Sequence, residues 1–481
     1  MGLTAFGLVY LPLLVAVAVF ARQWLPALVI FSTCIQAASV FNVPVGDGAF
    51  GISPYNVTAL AAFCVLLLHL WQQRRQPIAE YKYPKAAFWL LVGYAVVAVI
   101  GALTLPWLFE GLPVNLLDDP DRSAWRRLLP LTFSLANLVQ AVNLCIHAVV
   151  LVYLLQSAQR QDWQPSGPIL GLTAALALVL VLGLYERLAQ SFDWPSSIAF
   201  WASNPGYRQE HESIMMGILR IAVPFSEPSY LSVLLAATTV GFLAMVAFGK
   251  HRLWAFAGTL LCGLGLLNTF GSTGWAAVGL GLAGMLLWLI WRAWHTPRLR
   301  NLALLFWTTT ALIAGAVTYV ALYTPAKPTA MEAVDRMVIS KLDESNVRKK
   351  SNEQALNIIQ ETRGLGVGLG SHRASSFLAS LFSNTGILGG ALFLAMLGAL
   401  WRGYARARSL TDVQLFTAFA LATATLGTTL GIPDLTLPMF WAFIFLAFLY
   451  HPEEKGFRFP VSGFRFQENR KPETRRSRAT P

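Results

Sequence analysis

The sequence predicts an all-α protein that crosses a membrane many times. Of its 481 residues, 56% are hydrophobic and only 12% are charged. Long apolar runs recur along the whole chain, and a helix of about 20 apolar residues crosses the roughly 30 Å hydrocarbon core of a bilayer. The runs lack the alternation of a membrane β-barrel, and backbone exposed to lipid must satisfy its own hydrogen bonds. Each run is therefore predicted to be a helix.

The predicted spans follow one another closely enough to form a single bundle over residues 1–450. In chain order they are residues 3–20, 24–41, 57–71, 86–105, 131–155, 169–189, 228–248, 253–270, 275–291, 302–322, 377–400, 413–430 and 435–450. The first run has no basic region before it and is too long for a signal-peptide core, so it is predicted to be a retained span. Thirteen spans fit, and twelve also fit because the first pair and the last pair are closely spaced.

Lysine and arginine gather in alternate loops. If the spans alternate, the stretches "QQRRQPIAEYKYPK", "GKHR", "WRAWHTPRLR" and "WRGYARARSL" fall on one side, together with residues 451–481. Basic loops favour the cytoplasmic side, so the C-terminus is predicted to be cytoplasmic and the basic tail to be a disordered surface segment. This distribution explains the net charge of +12 without a nucleic-acid partner.

Three loops on the other side are long enough to hold an active site, namely residues 106–130, 190–227 and 323–376. The sequence shows no metal or cofactor motif. "HESIM" lacks the second histidine of a zinc-protease helix, and the four cysteines fall inside predicted spans, where they are typical packing residues. An active site is thus predicted on the exterior side, with no metal and no cofactor.

The longest outer loop contains helical periodicity and a cationic face. Apolar residues recur at steps of three and four over residues 331–342, and a second helix is predicted to begin at Ser345 and to end at Gly364. Its face with Arg348, Lys349 and Lys350 is either solvated or binds an anion. Both interpretations stay open on the residues alone.

Four glycines then alternate in "RGLGVGLGSHR", between Gly364 and Gly370, before His372 and Arg373. The spacing is not that of a dinucleotide loop, and no Lys-Ser/Thr pair makes a phosphate loop. Alternate glycines provide a backbone that bends freely and packs closely. The helix that follows would present its positive end to an anion, aided by Arg373. The alternative is a flexible hinge without a ligand.

Polar residues also mark the outer ends of two other spans. Arg220 and Glu227 flank the start of the span at Pro228, where a charge either anchors the helix or takes part in catalysis. The fifth span carries polar residues at helical spacing, which should face the bundle interior or a wet cavity: Asn137, Gln140, Asn143 and His147. They serve either helix–helix hydrogen bonding or substrate contact.

Three stretches carry a resemblance to a known family. They are "RIAVPFSEPSYLSVLL", "LLNTFGSTGWAAVGLGLAGMLL" and "NVRKKSNEQALNIIQETRGLGVGLGSHRASSFLASLFSNTGILGG". They resemble the O-antigen polymerase and ligase superfamily of bacterial membrane glycosyltransferases, which are GT-C-like in fold. Ligase-type members have a His-Asn pair where this chain has Ala374 and Ser375, and His372 stands two positions early. The resemblance therefore favours the exopolysaccharide polymerase branch.

The resemblance implies inverting glycosyl transfer at the periplasmic face of a bacterial inner membrane. The implied partners are a polyprenyl-pyrophosphate-linked oligosaccharide, the growing glycan, the lipid bilayer and other polysaccharide export components. Arg220, Arg348 and Arg373 would bind pyrophosphate, and Glu227 or His372 would take the acceptor proton, with Arg373 stabilising the leaving group. The alternatives are a ligase that passes glycan to a lipid or protein, and a translocator without enzymatic activity.

Overall fold

The computed structural model describes residues 2–45, 48–73, 83–115, 128–160, 162–206, 209, 214–215, 218–293, 307–311, 315, 348–407 and 409–452. Within these ranges the chain is a bundle of helices. Eight helices are long and apolar enough to cross a membrane, or nine if a bent pair near the N-terminus counts as one span. The prediction of a helical protein with many membrane spans is confirmed.

The helices follow the predicted runs closely. In chain order they are α1 (Ala5–Phe20), α2 (Leu25–Ser32), α3 (Pro54–Gln73), α4 (Lys85–Leu108), α5 (Leu135–Ser157), α6 (Gly167–Phe192), α7 (Ile198–Trp201), α8 (Pro228–Phe248), α9 (Arg252–Thr269), α10 (Ser272–Ala293), α11 (residues 348–361), α12 (Phe377–Arg406), α13 (Asp412–Gly431) and α14 (Pro438–Leu449). A 3₁₀ turn, Arg22–Trp24, joins α1 to α2.

The predicted span 24–41 is wrong as a continuous helix. The helix ends at Ser32, and the chain from α1 into α2 bends by 116°. Residues 33–40 continue without helical structure, and the N–H groups of Gln36 and Ala37 both donate to the carbonyl of Pro224, at 3.1 and 2.9 Å. Residues 33–40 are buried, and non-helical backbone is tolerated in a membrane protein where other parts of the protein surround it.

The described residues do not reach the predicted count of twelve or thirteen spans. α9 forms where expected but contains Arg252 and Asn268, and it does not pass as an apolar span. α14 is only 12 residues long. The predicted span 302–322, apart from residues 307–311 and 315, lies outside the described residues, as do the predicted helix 331–342 and the tail from 453 onwards.

Short antiparallel strands lie beside the helices. β1 (Gly2–Leu3), β2 (Phe41–Val45) and β3 (Gly48–Ile52) form one sheet in that order. β4 (Pro113–Val114) pairs with β5 (Leu129–Pro130), and β6 (Ile214–Met215) pairs with β7 (Ile218–Leu219). Among the described residues, β1 precedes α1 and the other six strands lie in connections between helices, so the long apolar elements themselves are helical.

Two helices form the centre of the bundle. α8 packs against α9, α10 and α13, and 83% of its span is buried. α14 is apolar on every side and buries Phe440, Trp441, Phe443 and Phe445 completely. A helix that is hydrophobic all round belongs in an interior. The lipid-facing helices, such as α1 with exposed Leu8, surround these two.

The glycine strap, residues 364–370, crosses one end of the bundle in a conformation that needs glycine. Its glycines have φ angles of +84° at Gly364, +78° at Gly366, +95° at Gly368 and +90° at Gly370. A Cβ on Gly368 would lie 2.7 Å from the carbonyl oxygen of Gly101 on α4, and one on Gly370 would lie 2.7 Å from that of Ala136 on α5. The predicted close packing of these glycines is confirmed.

The strap also completes a helix that is broken. α12 contains Gly386 in a non-helical conformation, with φ of 70°. Ile387 N–H, which would normally donate to Ser383, donates instead to the carbonyl of Gly364 at 2.8 Å, and Val367 N–H donates to Ser383 at 2.9 Å. The strap therefore replaces hydrogen bonds that the helix lacks. Residues 387–406 alone are long enough to cross a bilayer, which leaves the start of α12 beside the strap.

Candidate functional site

A polar cavity of about 380 Å³ opens at the end of the bundle that carries β3. We call this the cavity end. Its walls come from β3, α3, α5, the start of α8, the strap, α12 and the α13–α14 connection. The polar lining residues are Ser53, Tyr55, Asn56, Gln140, Asn143, His147, Asn204, Ser226, Glu227, Tyr230, His372, Arg373, Asn384, Asp434 and Thr436. Within the described ranges, no three His, Cys, Asp or Glu side chains group as a metal site requires.

Glu227 and Arg373 face each other across this cavity. Glu227 is the N-cap residue of α8, where the helix dipole favours a negative charge. Its Oε1 lies 3.9 Å from Nη2 of Arg373, and its Oε2 accepts a 3.0 Å hydrogen bond from the Ser229 hydroxyl. Both side chains are about a quarter exposed, at 23% and 26%. The pair is a partly exposed electrostatic contact at the wall of the cavity.

The backbone of Arg373 is fixed from two sides. Its N–H donates to the carbonyl of Asn115 at 2.9 Å, and its carbonyl accepts from Asn115 Nδ2 at 3.0 Å. Ser351 on α11 donates to the same carbonyl at 3.4 Å. The loop after β4 and the helix α11 therefore both position the arginine at the cavity wall.

Asp434 places a second carboxylate in the same cavity. It lies in the short connection between α13 and α14, where its Oδ1 accepts from Thr436 N–H at 2.9 Å and lies 3.3 Å from the Thr436 hydroxyl oxygen. Burial raises the pKa of this carboxyl above its ordinary value, while Thr436 and the positive charge of Arg373 partly oppose the rise. Arg373 thus interacts with two carboxylates, Glu227 and Asp434.

His372 is buried, with only 3% of its surface exposed. Its Nδ1 accepts a long hydrogen bond, 3.4 Å, from the N–H of Asn115, which assigns the ring proton to Nε2. Among the described residues Nε2 has no partner, and the side chain lines the cavity. Burial lowers the pKa of His372 to about 3, so the ring is neutral near pH 7 and offers an N–H donor.

The predicted polar face of α5 is present and serves two purposes. Gln140, Asn143 and His147 line the cavity. Asn137 is fully buried, and its Nδ2 donates to the carbonyl of Leu369 at 2.9 Å and to Ser371 Oγ at 2.8 Å. Asn137 therefore ties the strap to α5, whereas helix–helix hydrogen bonding and substrate contact were the two expectations.

His147 belongs to a chain of hydrogen bonds beneath the cavity. Its Nδ1 accepts from the Tyr55 hydroxyl at 2.7 Å, and its Nε2 donates to the carbonyl of Thr436 at 3.0 Å. The ring stacks on Trp441, with centroids 4.6 Å apart. The Thr436 hydroxyl in turn donates to Gln140 at 2.6 Å. This chain holds the loop that carries Asp434 against α3 and α5.

Arg348 lies in a neighbouring groove, outside the lining of the cavity. The groove, of about 450 Å³, runs between α11 and the end of α13 and is lined by Arg348, Lys349, Asn352, Glu353, Leu356, Ser375 and Leu430. A Cβ on Gly431 would lie 3.0 Å from Nη1 of Arg348, so the guanidinium reaches over the end of α13. Ser375 follows Arg373 by two residues, so one stretch of backbone separates groove and cavity.

Arg220 is likewise outside the cavity lining. Its Nε donates to the carbonyl of Thr269 at the end of α9, at 3.1 Å. Of the three arginines predicted to bind one pyrophosphate, the structure brings only Arg373 to the cavity, next to Glu227 and His372. Asp434 and Tyr55 were not predicted. A single carboxylate in "GIPDL" between two apolar runs was the signal for Asp434.

The sequence matches no protein-family model, and a search among curated proteins finds no significant match either.

Proposed function

We propose that the protein is a membrane glycosyltransferase that extends a lipid-linked oligosaccharide by inverting transfer from a polyprenyl-pyrophosphate donor. The reaction would take place at the cavity end, on the outer face of a bacterial inner membrane with the C-terminus in the cytoplasm. One observation carries this proposal. A carboxylate and an arginine, Glu227 and Arg373, face each other at 3.9 Å in a polar cavity at one end of a membrane bundle.

Inverting transfer needs a base for the acceptor hydroxyl and a cation for the departing pyrophosphate. Glu227 and Arg373 supply this combination. The two charged groups are 3.9 Å apart, which is longer than a hydrogen bond. A phosphate oxygen that forms a shorter, charged hydrogen bond with Arg373 would therefore weaken the attraction between Arg373 and Glu227. Binding of the donor would then leave the Glu227 carboxylate available to accept the proton.

The geometry supports Glu227 over His372 as the base. Nδ1 of His372 already accepts from Asn115, and Nε2 carries the proton. To accept a proton at Nε2, the ring would have to place its hydrogen on Nδ1 against the Asn115 N–H. In this proposal His372 donates a hydrogen bond from Nε2 to a substrate oxygen and stays neutral.

The groove beside the cavity supports a place for the carrier lipid. Arg348 and Lys349 provide positive charge there, and the exposed side chains of Leu356 and Leu430 provide apolar surface. A pyrophosphate with a hydrocarbon tail presents both kinds of surface. A donor in this groove would reach Arg373 across the backbone of Ser375, with its sugar directed to the carboxylates.

The test follows surface glycan length and the pool of lipid-linked repeat units in cells that express single variants. Glu227→Gln and Arg373→Ala should each lower polymer formation by about 100-fold or more, because each removes a group that acts in the transition state. Single repeat units should accumulate on the outer face. Arg252→Ala, at the other end of the bundle, is the matched control and should form normal chains.

Three results would count against the proposal. Normal chain length in Glu227→Gln would exclude Glu227 as the base. Repeat units that accumulate on the inner face would identify a translocator. Long chains that remain on the carrier lipid would identify a ligase, the other enzyme of the resembled family.

A further inference from the structure

A second charged cluster lies at the end of the bundle away from the cavity, and the proposed transfer reaction does not use it. The turn between α1 and α2 brings Arg22, α3 brings His69, and the connection after α5 brings Arg160 and Asp162. These side chains line a pocket of about 10 Å³ together with Tyr153 and Ser157. We call it the basic pocket.

Each of the three guanidinium nitrogens of Arg160 contacts a neighbouring side chain. Its Nε and Nη2 donate to the two carboxylate oxygens of Asp162, at 2.7 and 2.8 Å, and its Nη1 contacts Nε2 of His69. A guanidinium has only donors, so Nε2 of His69 must be the acceptor and the ring proton must lie on Nδ1. Arg160 therefore fixes the tautomer of His69.

The Nδ1 donor of His69 is buried and has no partner among the described residues. Only 6% of the His69 surface is exposed, so water does not reach this group freely. A buried donor without an acceptor costs about 1–3 kcal/mol. The lining of the pocket thus includes a buried N–H group that has no acceptor in the part of the chain that the structure describes.

The positive charge of Arg22 indicates that a ligand of this pocket would be an anion. Its Nε donates to the carbonyl of Ala18 at 3.1 Å, and within the described chain its terminal nitrogens form no hydrogen bond or ion pair. The charges of Arg22, Arg160 and Asp162 leave a net positive charge at the pocket. A volume of about 10 Å³ holds a single oxygen atom, so most of the anion must remain outside, next to the exposed Arg22.

The surroundings indicate that the anion comes from the bilayer. Trp24 and Trp71 flank the cluster in sequence and are 40% and 67% exposed. Exposed tryptophans at helix ends are typical of the membrane–water interface. Basic pockets between membrane helices on the cytoplasmic side bind anionic lipid head groups.

We propose that the basic pocket binds the phosphate of an anionic phospholipid. One phosphate oxygen enters the pocket and accepts from Nδ1 of His69, and a second oxygen pairs with Arg22. The site is independent of the proposed transfer reaction.

The test counts phospholipids retained by the purified full-length protein in native mass spectrometry, with phosphatidylglycerol compared with phosphatidylcholine. Wild type should retain phosphatidylglycerol preferentially. Arg22→Gln and His69→Phe should each weaken that retention about tenfold, which corresponds to one lost charged hydrogen bond. Arg252→Gln is the matched control, because Arg252 lies at the same end and its Nε also donates to a backbone carbonyl, that of Gly249.

Equal retention in Arg22→Gln and wild type would overturn the proposal, as would equal losses in Arg22→Gln and Arg252→Gln. Arg22 is exposed, so its variant should fold even if His69→Phe does not. Free phosphate is distinguished from a lipid phosphate by a second measurement, on the protein in phosphatidylcholine nanodiscs. If inorganic phosphate raises the melting temperature there and Arg22→Gln abolishes the rise, while phosphatidylglycerol is not retained, the ligand is soluble phosphate and the lipid assignment is wrong.

Discussion

The two ends of the bundle each carry a charged cluster, and the two clusters are built differently. At the cavity end, one arginine faces two carboxylates, and the Arg373–Glu227 contact spans 3.9 Å beside a cavity of about 380 Å³. At the other end, two arginines accompany Asp162, and Arg160 grips that carboxylate at 2.7 and 2.8 Å beside a pocket of about 10 Å³.

The charged side chains of the two clusters are held in position in different ways. In the basic pocket, side chains hold one another, and only one oxygen atom fits between them. At the cavity end, backbone segments hold the charged residues apart: Arg373 follows the strap, Glu227 caps α8, and Asp434 lies in a helix connection. A cluster built in this way presents its charges to a substrate in the cavity beside them.

The largest expected effect tests whether the strap determines the cavity end. Gly368→Ala should lower the free energy of unfolding by about 3 kcal/mol, because alanine is strained at φ of +95° and its Cβ would meet Gly101 O at 2.7 Å. Gly111→Ala is the control, since Gly111 has φ of +87° with no atom within 4 Å, and should cost about 1 kcal/mol. If chemical denaturation shows the same loss of unfolding free energy in both variants, the packing of the strap does not contribute to stability.

A second test concerns the buried histidine of the cavity. Burial lowers the folded-state pKa of His372 to about 3, whereas the unfolded chain has the ordinary value of 6.5. Below pH 6.5 the unfolded state binds a proton that the folded state does not, so stability falls by about 1.4 kcal/mol per pH unit. In His372→Gln this part of the slope should disappear between pH 6.5 and 4.5. An unchanged slope in thermal unfolding would show that His372 is accessible to protons.

The smallest expected effects are changes in stability when Asp434 or Asp162 loses its charge, and they should have opposite signs. Burial raises the pKa of Asp434, so its ionisation destabilises the fold as the pH rises above the ordinary carboxyl range. Hydrogen bonds from Arg160 lower the pKa of Asp162, so its contribution is present above that range and is lost as the pH falls. At pH 7.5, Asp434→Asn should raise the melting temperature.

Asp162→Asn should lower the melting temperature slightly. The side chain of Asp162 is 50% exposed, and after discounting for solvent screening its loss corresponds to about 0.5 kcal/mol. Changes of the same sign in Asp434→Asn and Asp162→Asn would contradict the contrast between the two ends.

The helices were predictable because apolar length determines what can cross a membrane. The span 24–41 was not, because its composition remains apolar while the backbone leaves the helix after Ser32 and bonds to Pro224. Hydropathy measures side chains and contains no information about a backbone partner far along the chain. The φ angles of the strap glycines could not be predicted either, because they depend on backbone partners in other parts of the chain.

The sequence predicted part of the candidate site. Glu227, His372 and Arg373 meet at the cavity, as the prediction of one outer site requires. Arg220 and Arg348 carry the expected charge, but Arg220 bonds to the end of α9 and Arg348 lies in the groove. Asp434 was missed because it lies in the short gap between the predicted spans 413–430 and 435–450, and the sequence does not show which other elements meet that gap.

The exchange of hydrogen bonds between the strap and α12 has a consequence for biosynthesis. Gly386 interrupts α12, and Ser383 and Ile387 take their backbone partners from Val367 and Gly364. Residues 364–368 precede α12 in the chain, so a ribosome delivers both partners before the interrupted helix leaves its exit tunnel. The helix can therefore be completed as it is inserted, without waiting for a later segment of the protein.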